Sequence, residues 1–366
     1  MISPLEKTQK DLSLLFDKLL SSNSFPRVSL FSGPSFSGRM YASILISEKT
    51  GSDYSSTIIL SDREFGRIIP AAIELYRKNR TYRAANFLKH NVSVFLSEFN
   101  GAMLESGSST VKKKFETAGN CYDLISRLPD VPENEIESFC SSLSKEVANV
   151  MGRKTSTGAV TVGQVRNIKE WCSTSSLENK RKTVIIEGLE NSLPATSNAL
   201  LKILEEPPEN TTFILISSNT SSIPPTILSR VRVFNFKALD KDALRYIFDS
   251  ISLPPDAFKD YESFIWKYSG TDEELLDKSA LSLVTTGKTD VRTLLGELEK
   301  SKSYDRFFYL VLKYLKDSIE PDDPDFEKKL YLYNELSTSI SRSKTFNQNQ
   351  RLVFDYIVYR TGEFIK

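Results

Sequence analysis

Gly33 and Gly38 stand five apart in the octet Gly33-Pro34-Ser35-Phe36-Ser37-Gly38-Arg39-Met40, between an apolar run and a helical one. Two glycines so placed are the frame of a P-loop, in which backbone amides and a helix N-terminus cradle phosphate. The lysine and the hydroxyl residue that should follow are Arg39 and Met40. Arg39 keeps a positive charge, but as a bulkier planar fork. A thioether in place of a hydroxyl does not ligate Mg²⁺. These residues argue against phosphoanhydride hydrolysis and leave nucleotide binding open.

Little other chemistry is available. His90 is the only histidine, which removes Ser-His-Asp and Cys-His catalysis. Cys121, Cys140 and Cys172 lie far apart without a CxxC pair, so reduced structural thiols and no metal are expected. Net charge is +1, from 48 basic and 47 acidic residues, against the basic excess of domains that hold nucleic acid by bulk electrostatics. The basic runs Lys112-Lys113-Lys114 and Lys180-Arg181-Lys182 are short enough to be solvated faces. With no apolar signal core at the N-terminus and no run of membrane-spanning length, a cytoplasmic protein is expected.

The elements that would position the loop follow from hydrophobic patterning. A chain of 366 residues, 40% hydrophobic, suggests two or three domains. Leu5 to Leu20 shows helical spacing through Leu12, Leu15, Phe16, Leu19 and Leu20, with Gln9 near the start of that helix. Val28 to Ser32, Ser56 to Leu60, Thr183 to Glu187, Phe213 to Ile216 and Val231 to Phe236 read as strands. Arg39 to Glu48 reads as a helix. Ala199, Leu200, Ile203 and Leu204 form one helical face that the Pro207-Pro208 pair ends. Thr161-Val162-Gly163-Gln164 matches a capping box opening another helix. Alternation of strand and helix predicts a parallel α/β unit. Beyond Leu239 the pattern is helical, with one dense face at Phe307, Phe308, Leu310, Val311, Tyr314 and Leu315. Leu352, Val353, Tyr356 and Ile357 form another.

The motifs Asn198-Ala199-Leu200-Leu201-Lys202-Ile203-Leu204-Glu205-Glu206-Pro207-Pro208-Glu209 and Ile223-Pro224-Pro225-Thr226-Ile227-Leu228-Ser229-Arg230, separated by one strand, resemble the bacterial clamp-loader subunits of DNA polymerase III. Those are AAA+ proteins of the gamma/tau and delta-prime type. The resemblance implies an α/β AAA+ domain at 1–237, with a five-stranded parallel sheet of P-loop type, a small helical lid at 238–282 and an all-α collar at 283–366. The stretch 62–157 departs from the family as an atypical, largely helical insert, with a helical stripe at Leu88, Val92, Phe95, Leu96, Phe99 and Met103 and loops expected at Ser106 to Thr110 and Pro129 to Asn134. The zinc module of some delta-prime relatives is missing.

The resemblance also assigns roles. In working members the third of these strands ends in an Asp-Glu pair; here it ends in Glu187-Gly188, a degenerate Walker B. Ser217 and Ser218 stand where the sensor-1 hydroxyl belongs. Glu273, at a sensor-2-like helix start, replaces an arginine, and its charge would repel a triphosphate. Arg230 keeps the arginine of the Ser-Arg-Cys motif, with Val231 in place of the cysteine, and so would reach the ATP of a neighbouring subunit. The implied protein is a delta-prime-like subunit that does not hydrolyse ATP, needs no cofactor, and works with gamma/tau-type and delta-type subunits to load a sliding clamp on primed DNA. Two rivals are an active gamma/tau-type ATPase, which would need the missing lysine, and a non-catalytic DNA-binding module, which neutral charge disfavours.

Overall fold

A computed structural model describes residues 4–52, 56–61, 65–97, 109–151, 160–173, 181–189, 194–218, 220–258, 260–301, 303–345 and 349–365. The chain forms two compact units, Met1–Phe264 and Ile265–Lys366.

The first unit opens with helices α1 (Pro4–Thr8) and α2 (Lys10–Ser21), then strand β1 (Val28–Ser32), α3 (Arg39–Lys49) and β2 (Thr57–Leu60). Four helices follow: α4 (Phe65–Asn79), α5 (Tyr82–Ser97), α6 (Ser109–Ser126) and α7 (Ile136–Met151). Next come α8 (Val162–Ser173), β3 (Lys182–Glu187), α9 (Pro194–Glu205), β4 (Thr211–Ser217), α10 (Pro225–Leu228), β5 (Arg232–Asn235) and α11 (Lys241–Ser250). The strands form one parallel sheet in the order β2-β3-β4-β1-β5. This is the five-stranded α/β core that the resemblance implies.

Every residue of β1, β2, β3 and β4 is buried, which is why these strands read as unbroken apolar runs rather than as alternating ones. Successive side chains leave opposite faces of the sheet. Leu30, Val184, Ile186, Phe213 and Leu215 pack on the side of α8 and α9, against Val165, Ile168, Leu200, Ile203 and Leu204. On the other side Phe16 of α2 meets Phe31 at 5.5 Å and Phe234 at 5.1 Å between ring centroids. Burying a phenylalanine side chain stabilises by roughly 1.5–3 kcal/mol, so these rings anchor α2 beneath the sheet. Only β5, at the edge, shows exposed positions. The capping box at the start of α8 is present: the Gln164 backbone N–H donates to Thr161 Oγ1 at 3.2 Å, and the Thr161 backbone N–H to Gln164 Oε1 at 2.9 Å.

Two expectations change here. Lys182 is not in an exposed basic turn; it begins β3 and is buried, with its ammonium 4.8 Å from the centroid of the Trp171 ring. A long aliphatic stem and a cation–π contact make this burial tolerable; Lys180 lies outside the described residues. The single helix expected from Leu5 to Leu20 is broken at Gln9, which separates α1 from α2.

Between β2 and β3, α4 packs on α5 and α7, and α6 packs on the same two helices, which closes a four-helix bundle. Leu88, Val92 and Phe95 point inward as their spacing predicts; Met103, from the same stripe, lies outside the described residues, as do residues 106–108 of the predicted loop. Lys112–Lys114 fall in the first turns of α6. The α4–α5 corner is tied to the loop after α11, where Asn79 Nδ2 donates to the Ser252 carbonyl at 2.9 Å.

Helix α12 (Tyr261–Tyr268) carries the chain into the second unit, which holds α13 (Glu273–Thr286), α14 (Val291–Ser301), α15 (Tyr304–Asp317), α16 (Phe326–Thr345) and α17 (Gln350–Phe364). Its core gathers Leu276 and Leu283 of α13, Phe307, Phe308 and Val311 of α15, Leu336 of α16, and Phe354 and Ile357 of α17. The α15 face is the predicted one. On α17 the buried stripe is instead Val353, Phe354, Ile357 and Thr361, while Leu352 is 67% exposed. Positions 353, 357 and 361 recur every fourth residue, and 352 falls off that line.

Candidate functional site

The carboxyl ends of parallel strands are where α/β sheets bind ligands. Ser32, Glu187 and Ser217 end the adjacent strands β1, β3 and β4. The loop from Gly33 to Gly38 leaves from this edge.

Gly33 has φ +152°, and a Cβ there would lie 2.4 Å from the Phe236 carbonyl oxygen, so only glycine lets the chain after β5 pass. The Phe236 N–H donates to the Ser32 carbonyl at 2.7 Å. Gly38, at φ +90°, opens α3 and meets no neighbouring atom within 4 Å. The Gly33 N–H points to the Ser217 carbonyl at 3.3 Å, so it is engaged within the sheet.

Gln9 clasps this loop, a role that nothing in its sequence neighbourhood signals. Its Nε2 donates to the Ser37 carbonyl at 3.1 Å and to the Lys237 carbonyl at 2.7 Å, and its Oε1 accepts from the Lys237 N–H at 3.1 Å. The side chain thus joins the loop, the exit of β5 and the α1–α2 break, and Gln9 is buried. Phe36, at φ +58°, leans its ring on Tyr261, 5.4 Å between centroids.

Arg39 and Met40, the residues in place of the lysine and hydroxyl, are both buried in the first turn of α3. Glu187 is buried too, and its Oε2 accepts from Ser61 Oγ at 2.7 Å. Gly188, at φ +82°, offers no second carboxylate. Ser217 is buried beside the loop and Ser218 is exposed. The site therefore brings together Gly33, Gly38, Glu187 and Ser217, but its donor set does not fit a hydrolysable Mg²⁺–triphosphate. The position after Arg39 carries sulfur, and the strand end carries one carboxylate, which already accepts a hydroxyl.

Arg230 stands apart from that loop. It follows α10 and ends the turn that starts at Thr226. Its Nε donates to Glu205 Oε1 at 2.9 Å, its Nη2 donates to the same oxygen, and its Nη1 donates to the Thr226 carbonyl at 2.7 Å and to Ser229 Oγ at 3.0 Å. Glu273 lies in the second unit, where it is paired with Arg306. The three thiols are buried, and desolvation pushes Cys121 up to about 12 and Cys140 and Cys172 to about 11. They are poor nucleophiles. Among the described residues no group of His, Cys, Asp or Glu could hold a metal, and no helix is long and apolar enough to cross a membrane.

Residues 97–240, which contain β3, α9, β4 and Arg230, match the family described as DNA polymerase III, delta subunit. The chain is 40% identical over 81 residues to DNA polymerase III subunit delta' of Haemophilus influenzae, a match covering 22% of this chain and 25% of that one.

Through this region the chain is similar to the clamp-loader subunits of DNA polymerase III.

Other clamp-loader relatives carry other names. Subunit tau of Bacillus subtilis is 30% identical over 139 residues, 38% of this chain and 24% of its own. Subunit gamma of Buchnera aphidicola is 27% identical over 156 residues, 42% of each. The match thus spans about a quarter of the length of the delta' and tau relatives. A solved gamma subunit-related protein from Thermotoga maritima aligns over 96% of this chain and 99% of its own, with a TM-score of 0.46 and 14% identity. The family match begins at residue 97, inside the stretch 62–157 that the sequence sets apart, so α6 and α7 fall within the span that resembles the family.

Proposed function

We propose that this clamp-loader chain is a delta-prime-like subunit: it does not hydrolyse ATP, and it completes the ATP site of a neighbouring gamma/tau-type subunit with Arg230. Arg230 carries the reading. It follows the Ser229 of the family motif, is one-third exposed, and makes its hydrogen bonds away from the Gly33–Gly38 loop. A guanidinium at the surface suits a phosphate held by another chain, because its planar fork matches phosphoryl oxygens bidentately. The buried Met40 and the Glu187-Gly188 strand end support the absence of turnover by this chain itself.

In this reading residues 1–237 form the AAA+ domain, 238–282 the lid and 283–366 the collar that joins the other subunits. The complex, with gamma/tau-type and delta-type subunits in the cytoplasm, opens a sliding clamp and places it on primed DNA. An active gamma/tau-type motor is the alternative that the tau and gamma similarities favour; the Arg39-Met40 pair counts against it.

The test is DNA-stimulated ATP turnover by the reconstituted complex with wild-type chain or Arg230→Ala, with the isolated chain measured alongside. The expected result is no turnover by the chain alone and a loss of at least about tenfold in the variant complex, since an arginine finger contributes about 10³–10⁵ in rate. Turnover by the isolated chain would establish the motor reading. Normal turnover by an intact Arg230→Ala complex would reduce Arg230 to a structural residue.

A further inference from the structure

Glu205 closes α9, and the Arg230 guanidinium is folded back onto it. Nε and Nη2, which form one edge of the fork, both donate to Glu205 Oε1, while Nη1 is turned to the Thr226 carbonyl and Ser229 Oγ. A guanidinium has five N–H groups, and four of them are thus used inside the chain. Bidentate binding of a phosphoryl group needs two N–H groups along one edge. The edge made by Nε and Nη2 already carries a carboxylate, whose negative charge would also oppose incoming phosphate oxygens.

We infer that Glu205 is a positioning residue that stows Arg230, holding it against α9 and α10 until a phosphate-bearing neighbour takes its place. This rests on the reading of Arg230 given above. The location of Glu205 suits a releasable hold. As the last residue of α9, with Glu206 next to it, it lies at the negative end of a helix dipole, where a carboxylate gains from a cation but has no other support from its own helix. The pair is also partly solvated, the side chains being 33% and 45% exposed, so water and salt weaken it. Surface pairs of this kind shift an equilibrium by roughly two- to fivefold. That is enough to bias Arg230 in the free chain and little enough for a bound triphosphate to overcome. Glu205 therefore competes with the neighbour's phosphate for the same guanidinium edge. Removing its charge lowers the barrier to engagement without touching the reacting atoms.

The experiment titrates the chain into gamma/tau-type and delta-type subunits and follows ATP turnover, which gives a half-saturating concentration and a kcat for each variant. Glu205→Gln is expected to lower the half-saturating concentration by roughly two- to fivefold, with kcat within about twofold of wild type. The difference should shrink at high salt and disappear on an Arg230→Ala background. Glu205→Ala serves as a second variant, and thermal melting confirms that each chain folds. An unchanged or raised half-saturating concentration in folded Glu205→Gln and Glu205→Ala overturns the stowing role. Persistence of the effect without Arg230 overturns it as well. Arg230→Ala alone reports on the underlying reading: if it slows turnover while the Glu205 variants are silent, only the stowing role fails. If Arg230→Ala leaves turnover intact, the trans role itself fails.

Discussion

Arg306, 1% exposed, grips Glu273 from within the second unit, its Nε lying 2.9 Å from Oε1 and 3.3 Å from Oε2 and its Nη2 also donating to Oε1. Asp272 caps the same helix end, accepting the Leu275 N–H at 3.1 Å. The Glu273 carboxylate is thus neutralised inside its own unit, and the repulsion of a triphosphate expected from the sequence does not describe the charge as it stands.

Breaking that pair should be costly. Glu273→Ala takes this carboxylate from a buried guanidinium and is expected to destabilise the chain by about 3–5 kcal/mol. The double change Glu273→Ala with Arg306→Met should recover much of the loss, because the buried charge goes too. Urea unfolding of the three variants checks this. Equal loss in the single and double variants would show that the pair is not what stabilises the α13–α15 packing.

Gly33 and Gly38 separate two demands on the loop. Gly33→Ala forces a Cβ into the Phe236 carbonyl and should cost at least about 2 kcal/mol, combining a left-handed φ with overpacking. Gly38→Ala meets no atom within 4 Å, so it should cost only the conformational strain, about 1–2 kcal/mol. Midpoints of thermal unfolding rank the two, and the reverse order would contradict the close approach.

Gln9→Ala removes three hydrogen bonds and leaves the Lys237 N–H and the Ser37 carbonyl without this partner. A loss of about 1–3 kcal/mol follows, since the Ser37 contact is buried and the Lys237 contacts are partly buried. Gln9→Glu should do no better, since a carboxylate would face two carbonyl oxygens that the amide now donates to. Faster hydrogen exchange at the Lys237 amide is the local signature to measure.

The second unit carries a pH-dependent contact. Arg360 donates Nε to Glu335 Oε1 at 2.9 Å and Nη2 to Oε2 at 2.8 Å, and Tyr356 donates its hydroxyl to the same carboxylate. The Arg360 hydrogen bonds, first, hold the Glu335 carboxyl below its ordinary value against opposing desolvation. A depressed carboxyl stabilises the fold above its unfolded pKa and loses that contribution as pH falls through the folded value. The stability gap between wild type and Glu335→Gln should be full at neutral pH and close as the pH drops below about 4. A gap that stays constant from pH 7 to pH 3 would rule out this linkage.

Much of the α/β core was legible in the sequence because its cause is local. Strands covered on both faces must be apolar at every position, so Ile185, Ile214 and their neighbours marked themselves. The Pro207-Pro208 pair stopped α9, and the Thr161–Gln164 pair declared the start of α8. The loop frame and Arg230 were likewise readable, since a glycine pair and a motif arginine are properties of residue type and spacing. What the tertiary structure decided concerns side chains whose partners lie far along the chain. Gln9 finds Lys237, Arg230 turns to Glu205 and Glu273 to Arg306, and Lys182 folds under Trp171. A polar group shows its chemistry in the sequence but not which acceptor it will meet, because that depends on the packing of elements between which no local pattern runs. Leu352 makes the same point for apolar residues: helical spacing offered two adjacent stripes on α17, and only the packing of α17 on α13 and α15 chose the one through Val353 and Ile357.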